Sequence, residues 1–309
     1  MDPSETTPAN LTTAAPAQRI ANSPGALLHH VLREIRVAHT LFALPFAYTG
    51  AIVAAQGMPA VRQIVWITLA VVGARTAAMA ANRYVDREID ARNPRTARRA
   101  LANGSLEPAT MLVTALLGLL LLVVAAAELN PLCLKLLPLA ALGILAYPFG
   151  KRFTWSVHFL LGAVDGLAPL GAYIAVTGTV AWPAALLFFA VTVWVAGFDI
   201  IYALMDRDVD IAQNLRSIPA RFGVRSGRLL PLALHLVMAA LLAGAGLLAA
   251  VGPFYYAGVA AALALTAYEN RLFDSAKNIF VLNEEIFVSN MVFSIAFLIA
   301  TYGGYAWRP

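Results

Sequence analysis

Two regularly spaced sets of polar, mostly acidic side chains lie near the ends of two strongly apolar stretches of this chain. Because four residues advance a helix by about 400°, residues spaced by four share one helical face. The first set, here called the first ladder, consists of Asn82, Asp86 and Asp90. The second ladder consists of Asp199, Tyr202, Asp206 and Asp210. The spacing predicts that each ladder lines one face of one helix, and two facing ladders of carboxylates would make a site for divalent metal.

Electrostatics favours a bound cation at these ladders. Unit charges 4 Å apart repel by about 4 kcal/mol at an effective dielectric constant of 20, so a face of unpaired aspartates is costly. Mg²⁺ relieves this repulsion, because it prefers one or two carboxylates and keeps its other positions for water and phosphate oxygens. The ladders therefore predict a Mg²⁺ cofactor and a phosphorylated ligand.

Basic side chains that could hold such a ligand accompany the ladders. Arg75 lies seven residues before the first ladder, about two helical turns along the same face and inside an apolar segment. A charge inside a membrane segment is expected to be functional. Lys151 and Arg152 follow Tyr147 and Pro148 at the end of another apolar segment, where membrane topology alone would explain them equally well.

The composition identifies the elements that must position these residues. Hydrophobic residues make up 60% of the chain and charged residues only 13%, which is too apolar for a soluble protein. Nine segments are about as long as a membrane-spanning helix requires, at 37–56, 63–82, 109–127, 131–148, 156–176, 183–205, 229–250, 252–268 and 286–306. We predict an all-α, polytopic membrane bundle of about nine transmembrane helices over residues 25–309, preceded by a disordered tail at 1–24.

The distribution of charge predicts the orientation of the bundle. With nine spans, one side carries nearly all of the arginine and lysine residues, and the other carries only Arg62, Lys135 and Arg308. Basic loops stay in the cytoplasm during insertion, so both ladders should open to the cytoplasm beneath capping loops at about 87–108 and 207–228. We therefore expect a protein of the cytoplasmic (inner) membrane that contacts membrane lipid. The net charge of +5 then requires no nucleic acid.

A metal-bound diphosphate at the membrane edge suggests a particular reaction. Metal bound to a diphosphate makes it a better leaving group. If the diphosphate is attached to an allylic isoprenoid, its departure leaves a delocalised carbocation, which an electron-rich aromatic ring can attack. The hydrocarbon tail belongs in the bilayer and the diphosphate at its cytoplasmic face, and carboxylates at the edge of an apolar bundle match that geometry.

These residues resemble the motifs of the UbiA family of intramembrane prenyltransferases. The family motif Asn-x-x-x-Asp-x-x-x-Asp followed by Arg-Thr corresponds to residues 82–96, and Asp-x-x-Tyr-x-x-x-Asp-x-x-x-Asp corresponds to residues 199–210. Between them, the family's Tyr-Pro-x-x-Lys-Arg-x-Thr corresponds to residues 147–154. The resemblance extends from about Arg36 to Trp307. One departure is Ala100, where the family often has proline.

The resemblance implies a role for each candidate residue. One Mg²⁺ would be held by Asn82, Asp86 and Asp90, and a second by Asp206 and Asp210. The diphosphate would be held by Arg36, Arg75, Arg95, Lys151 and Arg152. Asp199 would orient the acceptor or take its proton, and the ring faces of Tyr147 and Tyr202 would stabilise the allylic cation.

The resemblance also implies a substrate class. The sequence Ser-Ile-Pro-Ala-Arg-Phe-Gly at 217–223 and the pair Tyr268 and Glu269 resemble the quinone-pathway group of the family. This group implies transfer of a polyprenyl group from polyprenyl diphosphate to an aromatic hydroxy acid. The acceptor would be 4-hydroxybenzoate or a dihydroxynaphthoate, in ubiquinone or menaquinone biosynthesis, and the menaquinone-pathway members resemble this chain most.

The residues leave several alternatives open. A secondary transporter with a metal or anion site also carries intramembrane charges, although its site is expected at the midplane rather than at one face. A membrane phospholipid phosphotransferase also uses aspartates and metal, but needs them within one motif. Haem, chlorophyll or lipid acceptors within the same family remain possible. The sequence does not determine the acceptor, the prenyl chain length or the oligomeric state.

Two further groups of residues receive only general predictions. The five histidines show no ligand spacing and are predicted to be packed or interfacial. Asp165 lies in the middle of a predicted span, where it either approaches the acceptor pocket or pairs with a buried histidine or arginine.

Overall fold

The computed structural model describes residues 24–36, 38–275 and 278–308, and this part of the chain contains helices and turns but no strand. The tail predicted at 1–24 therefore lies almost entirely outside the described residues. Long helices within the described ranges are α2 (Ala38–Ala55), α3 (Val61–Ala91), α4 (Pro108–Leu129), α5 (Pro131–Ala146), α7 (Val157–Thr177), α8 (Trp182–Ala203), α11 (Ser226–Leu248), α12 (Phe254–Ser275) and α13 (Ile279–Ala306). Short helices are α1 (Pro24–Glu34), α6 (Gly150–Phe153), α9 (Arg207–Ala212) and α10 (Ile218–Phe222).

Each of the nine predicted segments falls on one long helix. Among the described residues, seven helical stretches are long and apolar enough to cross a membrane, and α2 contributes a shorter apolar helix at Ala43–Ala55. The helix α12 is not among the seven, because its last turns carry polar residues such as Glu269 and Arg271. The prediction of an all-α membrane bundle is confirmed, and a count of about nine spans agrees with the long helices.

Local sequence signals explain where several helices begin and end. Proline occupies the first turn of α4, α5 and α8, where its missing N–H is not needed. The side chain of Asn130 caps α5 by accepting from the backbone N–H groups of Leu132 and Cys133. The helix α7 ends at Gly178, whose φ of 68° is the left-handed conformation that glycine adopts most readily.

The helices pack into a closed ring. Along the ring, α7 packs on α8, α8 on α11, α11 on α12 and α12 on α13, and α2 packs on both α7 and α13 and closes it. The helices α3, α4 and α5 pack on one another and on α2 and α7 beside the ring. Glycines let some of these helices approach closely, since a Cβ added at Gly162 of α7 would lie 2.1 Å from the carbonyl oxygen of Thr192 on α8. Aromatic side chains fill the core between α2, α8 and α13, where Phe46 lies 4.7 Å from Trp194 between ring centroids.

One end of the bundle carries α1, α6, α9, α10, the loop 92–107 and most of the arginine and lysine residues, and is here called the basic face. The long helix α3 ends at this face with Asp86 and Asp90 in its last two turns. The two long loops were predicted to cap the site. The second loop contains the short helices α9 and α10, whereas the first is built of turns after Ala91.

The second ladder does not lie on a single helix, so that part of the prediction is wrong. The helix α8 ends at Ala203 and α9 begins at Arg207. Between them, Asp206 has φ −104° and ψ 1°, which is a turn conformation rather than a helical one. The break leaves Asp199 and Tyr202 on α8, Asp206 in the turn and Asp210 on α9.

Candidate active site

A polar cavity of about 620 Å³ opens between α3, α7, α8 and α13 at the basic face. Every residue predicted for the site lines this cavity except Arg152. The tertiary structure therefore brings together side chains from positions 36 to 210 of the sequence, which local spacing could relate only within each ladder.

The first ladder is held by cationic side chains from other elements. Asp86 accepts from the Nδ2 of Asn82 at 3.1 Å and from the Nζ of Lys151 at 2.6 Å. Asp90 accepts from the Nη1 of Arg99 at 2.6 Å. Lys151 belongs to α6, so this contact connects the Tyr-Pro segment to the end of α3.

The second ladder has a similar set of partners. Arg95 donates to both carboxylate oxygens of Asp206, and the Nδ2 of Asn93 donates to the same carboxylate at 2.8 Å. Burial opposes the charge of Arg95, but the hydrogen bonds to Asp206 and the nearby charges of Asp90 and Asp210 raise the pKa of Arg95 above its usual value. On α9, Asp210 accepts from the hydroxyl of Ser217 at 2.7 Å.

The donor chemistry of the ladders fits a hard divalent cation. Their oxygen atoms are the ligands that Mg²⁺ prefers, and the Oδ1 of Asp86 is buried without a hydrogen-bond partner. In the part of the chain that the structure describes, no three His, Cys, Asp or Glu side chains are grouped closely enough to hold a metal ion. Lys151 bonds the Oδ2 of Asp86, and Arg95 bonds both carboxylate oxygens of Asp206.

Asp199 lies deeper in the cavity and is held by a histidine. The Nδ1 of His158 lies 2.7 Å from the Oδ2 of Asp199, and the backbone N–H of Ile218 donates to the Nε2 of His158 at 3.2 Å. Because Nε2 accepts a hydrogen bond, the proton of a neutral ring is on Nδ1 and is donated to Asp199. His158 is thus buried, as predicted, but it also orients a candidate catalytic carboxylate.

The two candidate tyrosines line the same cavity from different helices. Tyr147 follows α5 and lies close enough to Arg75, Asp165 and Asp86 to interact with their charges. The hydroxyl of Tyr202 donates to the backbone carbonyl of Asn283 on α13 at 3.1 Å, which fixes the ring against Phe198. Both rings therefore face the space between the ladders and the deeper part of the cavity.

The role of Asp165 is partly explained by a buried ion pair. Its Oδ1 accepts from the Nη1 of Arg75 at 2.8 Å, and both side chains are less than 15% exposed. One of the alternatives predicted for Asp165, pairing with a buried arginine, is therefore what the structure shows. Arg75 remains on the cavity wall, but one of its donors is already used by a carboxylate of the protein.

A second, apolar cavity of about 380 Å³ adjoins the first. It runs between α3, α4, α5 and α7, and its wall is formed almost entirely by alanine, leucine, isoleucine and valine side chains. Arg75 and Asp165 line both cavities, so this ion pair marks the boundary between the polar and the apolar space.

Arg152 is placed differently from the other candidates. Its guanidinium donates to the backbone carbonyl of Val85 at 2.7 Å and lies over the ring of Phe149, 5.5 Å from the centroid. This contact ties α6 to α3 outside the cavity wall. The assignment of Arg152 to the diphosphate stays a prediction.

Sequence reasoning did not select two polar residues of the site. Asn93 was not selected, although its Asn-Pro sequence begins three residues after the first ladder. His158 had no ligand spacing, and its only signal was its position four residues after the Tyr-Pro motif. Both act through partners on distant elements, which spacing within one helix does not reveal.

Comparison with known proteins shows a family that covers most of the chain. The sequence model of the UbiA prenyltransferase family matches residues 43–279. A 4-hydroxybenzoate octaprenyltransferase of Alkalilimnicola ehrlichii is 38% identical over 226 residues, which cover 71% of this chain and 75% of that protein. The enzyme of the same name from Shewanella piezotolerans is 34% identical over 219 residues, covering 71% and 76%.

Solved structures show the same fold. The apo structure of a UbiA homolog from Aeropyrum pernix K1 has a TM-score of 0.70 and 31% identity, covering 86% of this chain and 96% of that one. A UbiA homolog from Archaeoglobus fulgidus bound to GPP and Mg²⁺ has a TM-score of 0.67 at 18% identity, covering 89% and 99%, and this likeness concerns the fold alone. Taken with the match over residues 43–279, these similarities show that the chain belongs to the UbiA prenyltransferase family.

Proposed function

We propose that this prenyltransferase moves a polyprenyl group from a polyprenyl diphosphate to the ring of an aromatic hydroxy acid, with Mg²⁺ as cofactor. The observation that carries the proposal is the polar cavity, in which both ladders meet Lys151 and Arg95 beside an apolar cavity. A diphosphate fits the charged part, and a hydrocarbon chain fits the apolar space next to it.

The ladders and their cationic partners would share the work of binding the donor. Mg²⁺ ions held by Asn82, Asp86 and Asp90, and by Asp206 and Asp210, would neutralise the diphosphate and make it a better leaving group. Lys151 and Arg95 would then be free to hydrogen-bond the diphosphate oxygens, with Arg36 at the same cavity wall. In this way the basic residues would pair with the protein's carboxylates before binding and with the ligand after it.

The deeper residues would act on the reaction itself. The C–O bond between the allylic carbon and the diphosphate breaks, and a C–C bond to the aromatic ring forms. The ring proton at the new bond would pass to Asp199, which His158 holds in place by the hydrogen bond from Nδ1. The ring faces of Tyr147 and Tyr202 would stabilise the positive charge on the allylic group.

The names of the relatives support one acceptor over another. Two proteins named 4-hydroxybenzoate octaprenyltransferase are more than 30% identical to this chain, which supports 4-hydroxybenzoate as acceptor and a long prenyl chain. The loop sequence at 217–223 keeps a dihydroxynaphthoate, and thus menaquinone biosynthesis, as the alternative. We place the basic face in the cytoplasm and the bundle in the inner membrane, because basic loops are retained on the cytoplasmic side.

A direct assay tests this proposal. Purified protein is incubated with Mg²⁺ and geranyl or octaprenyl diphosphate, and 4-hydroxybenzoate and a dihydroxynaphthoate are offered in parallel. We expect a prenylated product and released diphosphate with 4-hydroxybenzoate, and no turnover after chelation of Mg²⁺. Exclusive product from the dihydroxynaphthoate would move the enzyme to the alternative pathway. Tight diphosphate binding without product from either acceptor would refute the proposed acceptor class.

The ion pair between Arg75 and Asp165 yields a prediction about the acceptor. The pair lies at the deep end of the polar cavity, close enough to Asp199 for Asp165 and Asp199 to interact electrostatically. The Asp165→Asn replacement removes the negative charge that balances Arg75. An acceptor bound beside Asp199 would then lie near the unbalanced positive charge of Arg75. We expect the acceptor KM to change about tenfold, equivalent to about 1.4 kcal/mol, with the donor KM changed less than about twofold.

A matched control separates this effect from a general loss of charge. Asp274 forms an exposed ion pair with Arg228 on the same face of the bundle but away from the cavity. The Asp274→Asn variant should have wild-type kinetics. Unchanged acceptor KM and kcat in the Asp165→Asn variant would show that Asp165 does not contribute to the acceptor pocket.

A further inference from the structure

A second polar cavity, of about 350 Å³, lies at the basic face between α1 and the loop 92–107. Its wall contains a single carboxylate, that of Glu34, together with His30, Asn103 and Ser105. The remaining charged side chains of the wall are all arginines: Arg33, Arg36, Arg83, Arg95, Arg98 and Arg99. We call this space the arginine cavity.

Carboxylates of the protein balance only part of the positive charge of the arginine cavity, where Arg95 pairs with Asp206 and Arg99 with Asp90. Glu34 is already used, because its Oε1 accepts from the backbone N–H of Ala100 at 2.7 Å and its Oε2 lies 3.4 Å from the Nε of Arg83. Within the described ranges, Arg33 and Arg98 have no carboxylate at ion-pair distance. Two exposed guanidinium groups therefore face the cavity without an anionic partner.

Charge repulsion within the cavity wall has a direct consequence. Desolvation lowers the pKa of Arg36, and the positive charges of Arg99 and Arg95 lower it further. A bound anion would relieve this repulsion. Arginine is well suited to the purpose, since its planar guanidinium binds phosphate oxygens through two parallel hydrogen bonds.

The helix α1 places the arginine cavity at a membrane surface. Leu28 and Leu32 are 58% and 43% exposed and lie one turn apart. Helical spacing puts them about 180° around α1 from His30 and about 120° from Arg33, and both of these residues line the cavity. A helix with exposed leucines on one side and basic residues on the other lies in the plane of the lipid headgroups.

The C-terminal end of α1 is anchored to the bundle, so the cavity has a fixed wall. Ile35 is buried in a cluster with Leu101, Leu106 and Met111, and Val31 packs against the same cluster. Arg83 of α3 donates to the backbone carbonyl of Glu34 at 3.1 Å. The arginines of α1, α3 and the loop 92–107 are therefore held around one space.

From these observations we propose that the arginine cavity binds a phosphate group, carried by the headgroup of an anionic phospholipid. A free phosphate or diphosphate has the same chemistry, but the exposed leucines of α1 favour a ligand that is itself part of the membrane. Anionic lipids are attracted to basic clusters at a membrane surface, and the cavity adds a defined site to that general attraction. The proposal does not depend on which acceptor the enzyme prenylates.

The test uses two arginines that line the arginine cavity and not the candidate active site, namely Arg33 and Arg98. The full chain is purified in a neutral detergent, and short-chain phosphatidylglycerol or phosphatidylcholine is titrated while the thermal midpoint of unfolding is measured. We expect a saturable increase with phosphatidylglycerol only. In the double variant Arg33→Gln and Arg98→Gln, the half-saturating lipid concentration should rise at least about tenfold, equivalent to about 1.4 kcal/mol.

A control of equal charge distinguishes a site from general attraction. Arg225 and Arg271 are exposed at the same basic face but away from the cavity, and the double variant Arg225→Gln and Arg271→Gln removes the same charge. This control should shift the half-saturating concentration less than about threefold. Melting of both double variants without lipid should match the wild type.

Three outcomes would overturn the proposal. Equal weakening in the two double variants would mean that only net surface charge matters. No response to phosphatidylglycerol in the wild type would mean that the cavity holds no lipid. Saturable stabilisation by inorganic diphosphate, lost with the cavity arginines and without a phosphatidylglycerol response, would assign the cavity to a soluble anion and not to a lipid.

Discussion

Replacement of Asp86 or Asp206 by alanine is expected to reduce prenyl transfer by at least about a thousandfold, equivalent to about 4 kcal/mol of transition-state stabilisation. Each residue is the most heavily hydrogen-bonded carboxylate of its ladder. Asp86 faces the cavity from α3, and Asp206 faces it from the turn between α8 and α9. Loss of either removes a ligand of one proposed Mg²⁺. The diphosphate then remains a poor leaving group, and the donor cannot ionise.

These variants should remain folded, which makes the prediction specific to catalysis. The side chain of Lys151 is 25% exposed, so its ammonium group can turn to water when Asp86 is absent. The side chain of Arg95 is 30% exposed, so its guanidinium group can do the same when Asp206 is absent. Membrane insertion and the thermal midpoint in detergent should therefore be close to those of the wild type.

Two neighbouring acidic residues provide matched controls. Glu88 and Asp208 lie within the same two sequence motifs, but their side chains are 73% and 91% exposed. Activity of the Glu88→Ala and Asp208→Ala variants should be within about threefold of the wild type, because an exposed charge contributes little. Near-normal turnover by Asp86→Ala or Asp206→Ala would exclude a metal site built on the ladders.

The second large effect is expected from Asp199→Asn, which should lower kcat by at least about a hundredfold, as for loss of a general base. An amide of the same shape cannot accept the ring proton, and it presents an N–H or a carbonyl to His158 where the carboxylate accepted a hydrogen bond. Donor binding should change little, because the proposed metal ligands and Lys151 are not altered. The measurement is kcat and donor KM in the same assay.

The histidine that holds Asp199 gives a graded comparison. In the His158→Gln variant, the side-chain amide can still donate to Asp199. It has no second ring nitrogen to accept the hydrogen bond from the backbone N–H of Ile218. We expect about a tenfold loss of kcat, smaller than for Asp199→Asn, because the base remains but its orientation is weaker. If Asp199→Asn retains most of its kcat while His158→Gln loses it, the proton acceptor is a group other than Asp199.

Several features of the fold could be predicted from sequence because they depend on local properties. A helix that crosses a membrane must be apolar over about 20 residues, so the long helices were visible as hydrophobic segments. The residues of the first ladder share one helical face as their spacing predicts, because α3 continues without interruption through Asp90. The position of the basic residues at one end of the bundle could also be predicted, because it follows from which loops between the hydrophobic segments carry arginine and lysine.

The second ladder shows where the local argument fails. Spacing by four residues assumes a continuous helix, but the chain turns at 204–206 before α9 begins. Hydrogen bonds from Arg95 and Asn93, more than a hundred residues earlier, hold Asp206 at that turn. The spacing predicted which residues of the second ladder line the cavity, but it did not predict the break in the helix between them.

The sequence by itself determined the class of the protein, the two ladders and most of the polar residues that meet in the cavity. Only the tertiary structure decided the partners: Lys151 for Asp86, Arg95 for Asp206, His158 for Asp199 and Arg75 for Asp165. Helical periodicity specifies the direction in which a side chain points from the axis of its helix. Its partner depends on which helices are adjacent and on where along their length they cross. That information lies in the packing of close-approaching helices such as α7 and α8, and it arises only when the whole bundle is assembled.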